Sequence, residues 1–291
     1  MPQEGETSGF ARGASISGSD GHHERIAAAV CERIERGCDE YRAYWLDSAP
    51  VRHFVVDDLL PEPLIAEIEA ALPPPSDLIP RSSIRERKKV GIDLEGYASV
   101  VAEAVLAFQD DRVLRAVGRV VGSETLLTDP SLYASGLSVM GNGDFLHPHL
   151  DNSHDGDQVL YRALNLLFYL SRDWRLENGG NFELWENGSP QPTTLISACN
   201  RLVVMETSPT SWHSVSRVRV DRPRWCVSNY YFSEVPLKGG GHYRHVTTFR
   251  GRPGAGFGGT LLWLDGLARN ALGRALPFLL KRSWHRREPR P

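Results

Sequence analysis

The chain is organised around the hexapeptide Leu146-His147-Pro148-His149-Leu150-Asp151. His149 and Asp151 alternate with Leu150, so on a β-strand their side chains leave the same face. An imidazole and a carboxylate held side by side on rigid backbone supply two of the three protein ligands of an open, facial metal site. A His-x-Asp spacing is common by chance, so its interpretation depends on the rest of the chain.

A third ligand has to come from far along the sequence. The leading candidate is His213, in the run Ser211-Trp212-His213-Ser214-Val215. His147 is a rival because it precedes His149 by two residues and would share its face, but it lacks a carboxylate partner at that spacing. Two histidines and one carboxylate leave coordination positions open on one face, which is typical of non-heme Fe(II) oxygenases.

Length and composition fit a globular protein with one large domain. The chain has 291 residues, 41% hydrophobic and 24% charged, and a net charge of -3, which gives no general case for nucleic-acid binding. It has no apolar run long enough for a transmembrane helix, and residues 1–20 lack the features of a secretory signal. Four cysteines fit neither a disulfide framework nor a paired zinc motif. We therefore expect a cytoplasmic protein with no transmembrane segment and no nucleic-acid partner.

The sequence pattern changes near Pro130. Before it, apolar residues recur at helical spacing and predict helices over 22–45, 61–72, 97–108 and 111–121, with a short strand at 53–56. After it, β-favouring runs separated by turn residues predict strands over 137–140, 163–170, 181–185, 202–206, 225–232 and 245–249. This order predicts an α+β fold in which a sandwich or jelly roll carries helices on one side.

The predicted domain boundaries follow from composition. Residues 1–21, rich in Gly, Ser and Glu, are expected to form a disordered tail. A single domain is expected over 22–260, with a helical part at 22–125 and a jelly-roll core at 126–250. Residues 261–291 have helical apolar spacing followed by a basic, aromatic end. That end is either a solvated tail behind a docked helix or a contact for anionic membrane or nucleic acid.

The basic segment between Ile79 and Leu94 has little periodicity and allows two interpretations. It contains five cationic residues, Arg81, Arg85, Arg87, Lys88 and Lys89. It is either a solvated loop or a mobile lid that contributes cations to an anionic substrate or co-substrate.

Several motifs occur in a collinear order over residues 136–233. They are Gly143-Asp144-Phe145-Leu146 before His149-x-Asp151, the run Arg162-Ala163-Leu164-Asn165-Leu166-Leu167-Phe168-Tyr169-Leu170, the pair Gly179-Gly180, and His213-Ser214-Val215 followed by Val218. Together they resemble the 2-oxoglutarate/Fe(II)-dependent oxygenases, in particular the prolyl 4-hydroxylase-like branch.

The resemblance implies a double-stranded β-helix, a cupin-like jelly roll, with the N-terminal helices packed on one sheet. It implies that His149, Asp151 and His213 bind Fe(II). It further implies that 2-oxoglutarate and dioxygen are consumed, with ascorbate as an optional addition, while a metabolite, an amino acid or an amino-acid residue is hydroxylated and succinate and CO2 are released. Asp151 favours hydroxylation, because iron halogenases of this fold vacate the carboxylate position for a halide.

The same resemblance assigns an arginine to the distal carboxylate of 2-oxoglutarate. We prefer Arg224, which leads directly into a predicted strand, over Arg222, which lies at the shorter interval from His213 typical of the family. Asn165 points either toward the co-substrate or into ordinary core hydrogen bonds. Met140 stands where many prolyl hydroxylases have a tyrosine, so the co-substrate contacts differ there.

Two other classes of function remain open at this stage. One is a cupin-type metal-binding jelly roll whose chemistry uses no 2-oxo acid. The other is a catalytically silent binding module of the same fold. A buried Arg224 would argue against the first class, and an intact set of metal ligands argues against the second.

Overall fold

The computed structural model describes residues 19–91, 93–133, 135–237, 242–254, 261–262 and 264–268. The α-helices in these ranges are α1 (Ser19–Arg36), α2 (Cys38–Asp47), α3 (Glu62–Ala70), α4 (Ser99–Leu106) and α5 (Asp111–Val121). Residues 261–262 and 264–268 are also helical. Most of the expected N-terminal tail, and the rest of the expected C-terminal helix and tail, lie outside the described residues.

The strands are short and follow one another closely after α5. They are β1 (His53–Val56), β2 (Ile79–Ser82), β3 (Glu86–Gly91), β4 (Leu126–Leu127), β5 (Gly136–Met140), β6 (Phe145–Leu150), β7 (Tyr161–Tyr169), β8 (Phe182–Leu184), β9 (Thr193–Leu195), β10 (Arg201–Glu206), β11 (His213–Val215), β12 (Arg224–Ser233) and β13 (Thr248–Phe249). The strand predictions after Pro130 agree with these bounds to within a few residues.

The strands form two facing halves of one curled antiparallel sheet. The larger half has the order β1-β10-β7-β12-β5, and the smaller half has the order β6-β11-β8-β9. Strand β3 pairs with β2 along one edge, and along its other edge it pairs first with β6 and then with β5, and so joins the halves. This alternation of strands between two halves is a double-stranded β-helix, which confirms the predicted fold class.

The helices cover the outer face of the larger half. Helix α1 presents Ile26, Val30 and Ile34, four residues apart, as one apolar stripe, and all three are fully buried. They belong to one continuous core with Leu166 and Phe168 of β7. The opposite face of the sheet lines the barrel interior, where Tyr169, Phe182, Leu184, Val203, Met205 and Cys226 form a second apolar cluster.

Two features differ from the prediction. The helix expected over 22–45 is interrupted at Gly37, where α1 ends and α2 begins. A Cβ atom at Gly37 would lie 2.5 Å from Tyr41 Cε2, so the ring of Tyr41 needs a glycine there. The solvated loop allowed for the basic segment is wrong, because β2 and β3 form a hairpin within the sheet.

Two smaller observations complete the description. Among the described helices, none combines the length and apolar content needed to cross a membrane. The four cysteines are free thiols, and Cys226 is fully buried while the other three are half-buried.

Candidate metal centre

His149, Asp151 and His213 meet at one end of the barrel interior. His149 lies in β6 and pairs directly with His213, the first residue of β11, while Asp151 follows β6 immediately. One ligand atom from each residue lies within 4.8 Å of the others, and all three side chains are buried. His149 Nε2 lies 3.6 Å from Asp151 Oδ1, and His213 Nε2 lies 3.7 Å from Asp151 Oδ2.

Backbone carbonyls fix the orientation of both imidazoles. Nδ1 of His149 lies 3.0 Å from the carbonyl oxygen of His147, and Nδ1 of His213 lies 2.9 Å from that of Ser211. A carbonyl only accepts, so each Nδ1 carries the hydrogen and each Nε2 directs its lone pair into the cluster. The ring of Phe249 stacks on His149 at 5.1 Å and holds the imidazole from the other side.

The pKa shifts favour the forms in which these groups bind a metal. Burial, reinforced by the neighbouring His149, lowers the pKa of His213 to about 4. Burial alone would raise the pKa of Asp151, but His213, His149 and Arg162 outweigh it and hold that pKa well below its usual range. A neutral imidazole and an ionised carboxylate are therefore present at neutral pH without displacement of a proton.

His147 does not belong to the cluster, and the expectation that it shares a face with His149 is wrong. The pairing of β6 with β11 shifts by one residue between His149 and Leu146, so strict alternation is lost. The ring of His147 instead contacts Phe145 at 4.8 Å. Burial lowers the pKa of His147, and the nearby Arg252 and Arg217 lower it further.

Two polar side chains of β7 contact the Asp151 carboxylate. Asn165 Nδ2 donates to Asp151 Oδ2 at 3.3 Å, and Arg162 Nη1 lies 3.7 Å from Asp151 Oδ1. Arg162 is 2% exposed, and its guanidinium lies 4.0 Å from the centre of the Tyr230 ring. Within the described part of the chain, Arg162 Nε and Nη2 and Asn165 Oδ1 are buried without a hydrogen-bond partner.

Arg224 occupies a different part of the barrel interior. It is the first residue of β12, is 3% exposed, and donates from Nη2 to Ser197 Oγ at 3.1 Å. Its guanidinium lies 4.6 Å from the ring of Tyr169, whose buried hydroxyl has no partner of acceptable hydrogen-bond geometry among the described residues. Arg222 is exposed and donates to the carbonyl oxygen of Asp173 at 3.2 Å, so it lies outside the barrel.

This arrangement fits Fe(II) and a dicarboxylate. Two neutral imidazoles and a carboxylate, with no thiolate, form the donor set that suits Fe(II) in an open facial site. Over the described residues, no carboxylate forms an ion pair with Arg224. An unpaired buried guanidinium is costly, which favours an anionic ligand at that position.

Comparison with known proteins leads to the same chemistry. The sequence model of the 2OG-Fe(II) oxygenase superfamily matches residues 135–232. About a third of the chain is therefore similar to the 2OG-Fe(II) oxygenase superfamily. The matched residues run from the start of β5 to the end of β12 and include all three residues of the cluster and Arg224. The cofactors that give this family its name are Fe(II) and 2-oxoglutarate.

Individual relatives either match a small part of the chain or have low sequence identity to it. The chain is 35% identical over 98 residues to the prolyl 3-hydroxylase OGFOD1 of Xenopus laevis, a stretch that covers 31% of this chain and 19% of that protein's length. Similar solved structures include a prolyl-4-hydroxylase of Pseudomonas putida, with TM-score 0.49 and 18% identity over 67% of this chain and 99% of that one. HygX of Streptomyces hygroscopicus, solved with nickel, 2-oxoglutarate and hygromycin B, has TM-score 0.45 and 15% identity over 68% and 94% of the two chains.

Sequence reasoning did not single out Tyr169 or Ser197 as site residues. The alternation of a strand could have identified Tyr169, because it lies four residues beyond Asn165 and therefore on the same face of β7. Ser197 follows β9 in an irregular segment, where no periodicity indicates the direction of its side chain.

Proposed function

We propose that this protein is an Fe(II)- and 2-oxoglutarate-dependent hydroxylase. The observation that carries the proposal is the buried cluster of His149, Asp151 and His213, which shares one barrel interior with Arg224, a buried cation with no carboxylate partner among the described residues. A metal site alone would fit many jelly rolls. The buried guanidinium of Arg224, in addition to the metal, favours a co-substrate with two carboxylates. One carboxylate binds the metal and the other binds Arg224.

We assign the metal to Nε2 of His149, Nε2 of His213 and the carboxylate of Asp151. Fe(II) bound there, with 2-oxoglutarate and dioxygen, supplies the oxidant that hydroxylates an unactivated C–H bond and yields succinate and CO2. The chain's own contribution is orientation, because carbonyl oxygens and Phe249 hold the two imidazoles before the metal arrives.

We assign the distal carboxylate of 2-oxoglutarate to Arg224, with Tyr169 and Ser197 as hydroxyl donors beside it. The guanidinium presents planar, paired N–H groups that match a carboxylate, and its burial strengthens the interaction. The Tyr169 hydroxyl, which has no partner of acceptable hydrogen-bond geometry among the described residues, can donate to this carboxylate. Arg222 does not take part, because its guanidinium binds a backbone carbonyl at the surface.

We assign Asn165 and Arg162 to the substrate side of the metal. Asn165 steadies the Asp151 carboxylate through its Nδ2. Arg162 keeps Nε and Nη2 buried and without partners among the described residues, so both can donate to a carbonyl or carboxylate oxygen of a substrate. The likeness to a prolyl 3-hydroxylase supports an amino acid, free or within a peptide, as the substrate class.

Succinate formation tests this function. Protein purified without metal is supplied with Fe(II), 2-oxoglutarate and dioxygen, alone and with free amino acids or prolyl peptides. We expect succinate in the wild type to depend on both Fe(II) and protein, and to increase with an accepted substrate. His213→Ala serves as the matched inactive control. Correctly folded wild type that binds Fe(II) but forms no more succinate than His213→Ala would overturn the proposal.

A further inference from the structure

A β-bulge in β7 turns Arg162 into the barrel interior. Strand β7 has one extra residue, Ala163, between the positions that pair with Tyr231 and Phe232 of β12. Arg162 and Asn165 are three residues apart, so in a regular strand their side chains would leave opposite faces. Because of the bulge, Arg162 Nη1 and Asn165 Nδ2 instead lie 3.7 Å and 3.3 Å from the same carboxylate, that of the metal cluster. The bulge therefore places a guanidinium beside the proposed iron site.

The guanidinium of Arg162 has one edge that can bind a ligand. Nη1 faces the carboxylate of the metal cluster, whereas Nε and Nη2 share a different edge and are buried without a hydrogen-bond partner among the described residues. The ring of Tyr230 covers the face of the guanidinium at 4.0 Å. Adjacent N–H groups on one edge match the two oxygens of a carboxylate. A carboxylate can therefore bind this edge without displacing a protein group.

A second carboxylate, that of Asp129, acts on the same arginine. Asp129 lies between β4 and β5 and is 4% exposed. Its Oδ1 accepts from Ser131 Oγ at 2.7 Å, while Oδ2 is buried with no partner of acceptable geometry in the described ranges. Tyr133 of the same loop has its ring centre 5.6 Å from the Arg162 guanidinium. Burial raises the pKa of Asp129, and hydrogen bonds within the loop and the charge of Arg162 offset part of this rise. The two charges therefore interact, although no ion pair joins them in the part of the chain that the structure describes.

The imidazole of His245 approaches from the C-terminal part of the chain. The backbone of His245 is fixed by Ser153, whose N–H donates to the His245 carbonyl oxygen at 3.0 Å and whose Oγ accepts from His245 N at 2.9 Å. The ring stacks on Tyr243 at 5.8 Å, and both of its nitrogens are buried with no partner of acceptable geometry over the described residues. Burial lowers the pKa of His245, and the charges of Asp151 and Arg162 act on it in opposite directions. A neutral imidazole near both charges thus has an unused donor and an unused acceptor.

We propose that Arg162, Asp129 and His245 form a subsite for a free α-amino acid as the primary substrate. The inference rests on the proposed function and names its substrate class. The α-carboxylate binds the Nε and Nη2 edge of Arg162, and the α-ammonium group donates to Asp129 Oδ2 and to the imidazole of His245. A zwitterion has no net charge, so the subsite needs no surplus charge in the protein. Because Arg162 lies next to Asp151, the bound amino acid lies next to the metal.

Two segments pack around the subsite and favour a small ligand. The loop that carries Asp129 contacts the turn after the metal cluster, where a Cβ atom at Gly156 would lie 3.3 Å from Tyr133 Cδ2. The segment that carries His245 is bound to Ser153 in the same turn. A residue within a peptide has neither a free carboxylate nor an ammonium group, and its chain would have to continue past these segments at both ends. The packing therefore favours a free amino acid over a peptide.

A ligand subsite differs in a measurable way from a polar cluster that only stabilises the fold. If buried water alone satisfies these side chains, amino acids do not stabilise the protein. If Asp129 only orders its loop, Asp129→Asn weakens the binding of every ligand form equally. In the subsite, Asp129→Asn weakens only ligands that carry an ammonium group, because a ligand without one makes no ion pair with Asp129.

Thermal unfolding of the full chain measures binding of the twenty standard L-amino acids. Each is used as the free amino acid, as its N-acetyl form and as its α-amide. The series is run on the metal-free protein and again with Fe(II) and 2-oxoglutarate without oxygen. We expect at least one free amino acid to raise the Tm of the wild type. Its N-acetyl and α-amide forms should bind at least about tenfold more weakly, because each lacks one charged hydrogen-bonding group.

Three variants test the assigned contacts against these ligand forms. Asp129→Asn should weaken binding of the free amino acid about tenfold and that of the N-acetyl form less than about twofold. Arg162→Gln should weaken binding of the free form and leave that of the α-amide nearly unchanged. His245→Phe preserves an aromatic ring but removes both nitrogens, and should weaken binding of the free form. Asp157→Asn and His242→Phe, at exposed positions, are the matched controls and should bind as the wild type does.

Several outcomes would overturn the subsite. They are no stabilisation by any free amino acid in either series, equal affinity of the wild type for the free and N-acetyl forms, and equal losses for those two forms in Asp129→Asn. The comparison of ligand forms uses the wild type, so it remains decisive if a variant fails to fold. Binding of Fe(II) and 2-oxoglutarate is measured separately. If both bind but no amino acid does, the subsite fails alone. If an amino acid binds the metal-free protein but Fe(II) and 2-oxoglutarate do not bind, the proposed function fails alone.

Discussion

Two arginines inside the barrel, Arg162 and Arg224, are almost equally buried but differ in what surrounds them. Arg162 lies 3.7 Å from the carboxylate of Asp151 and against the ring of Tyr230. Arg224 contacts the hydroxyl of Ser197 and, among the described residues, has no carboxylate partner. The first guanidinium already has a counter-charge in the free protein, whereas the second does not.

The difference indicates two roles. Arg162 stabilises the site in the free protein, whereas Arg224 is available to bind an anionic ligand. A buried charge is costly when it has no counter-charge, so the surroundings of Arg224 among the described residues favour binding of an anionic ligand there. The carboxylate next to Arg162 belongs to the proposed metal ligand Asp151, and the guanidinium helps to keep it ionised by lowering its pKa.

Asp151→Ala should have the largest effect on Fe(II) affinity, because it removes a proposed metal ligand. It also removes the carboxylate that lies next to Arg162. Loss of outer contacts to a metal site typically costs about 10- to 100-fold in metal affinity, so loss of a direct ligand should exceed about 100-fold. Anaerobic titration with Fe(II) measures the loss. Asp157→Ala, at an exposed position nearby, is the control. Fe(II) affinity within tenfold of the wild type would contradict the assignment.

Arg224→Ala should weaken binding of 2-oxoglutarate by about 30- to 4,000-fold. Truncating one partner of a buried, hydrogen-bonded charge pair costs about 2 to 5 kcal/mol. Arg222→Ala should change the affinity less than about twofold, since its guanidinium is exposed. The apparent KM for 2-oxoglutarate in succinate formation measures both. A larger loss in Arg222→Ala would reverse the assignment of the two arginines.

Asn165→Ala, which changes the surroundings of Asp151, should have a smaller effect on Fe(II) affinity than Asp151→Ala. It removes the amide that donates to Asp151 Oδ2 while the three ligands remain, so Fe(II) affinity should fall about tenfold. Asn142→Ala, at an exposed position, is the matched control. If the affinity for 2-oxoglutarate falls and that for Fe(II) does not, Asn165 contacts the co-substrate and not the metal ligand.

The metal-free protein should lose stability as the pH falls below that at which an ordinary histidine titrates. The pKa of His213 is lowered from 6.5 to about 4, so between these values the unfolded chain binds a proton that the folded chain does not. The contribution is complete above pH 6.5 and declines toward pH 4, by about 1.4 kcal/mol per pH unit. Urea unfolding of wild type and His213→Gln measures it, and identical slopes over this range would contradict the shift.

The sequence was most informative where a local rule determines the outcome. His149 and Asp151 followed from strand alternation, and the preference for Arg224 over Arg222 followed from its position at the start of a strand. Strand alternation predicted the wrong side-chain direction for His147. The irregularity in β6 depends on pairing with β11, which is distant in sequence and could not be predicted locally. The hairpin β2–β3 was missed for a related reason. Its strands carry charges on both faces, and no apolar period distinguishes such strands from a loop.

The place of β3 in the sheet could not be predicted either. It depends on pairing along one edge with β5 and β6, which both come later in the chain. The position of Tyr169 in the site could not be predicted either, because it depends on the contact between Tyr169 and Arg224, which lie on different strands. Residue types at the site were therefore readable from the sequence, whereas contacts between distant strands required the structure.

The central claim is that one barrel interior holds both an iron site and the anchor of a 2-oxo acid. The most direct measurement is visible absorption of the protein mixed with Fe(II) and 2-oxoglutarate without oxygen. We predict a weak charge-transfer band in the wild type. It should be absent in His213→Ala, and in Arg224→Ala it should appear only at much higher 2-oxoglutarate concentrations. Folded wild type that binds Fe(II) but shows no band at saturating 2-oxoglutarate would contradict the account.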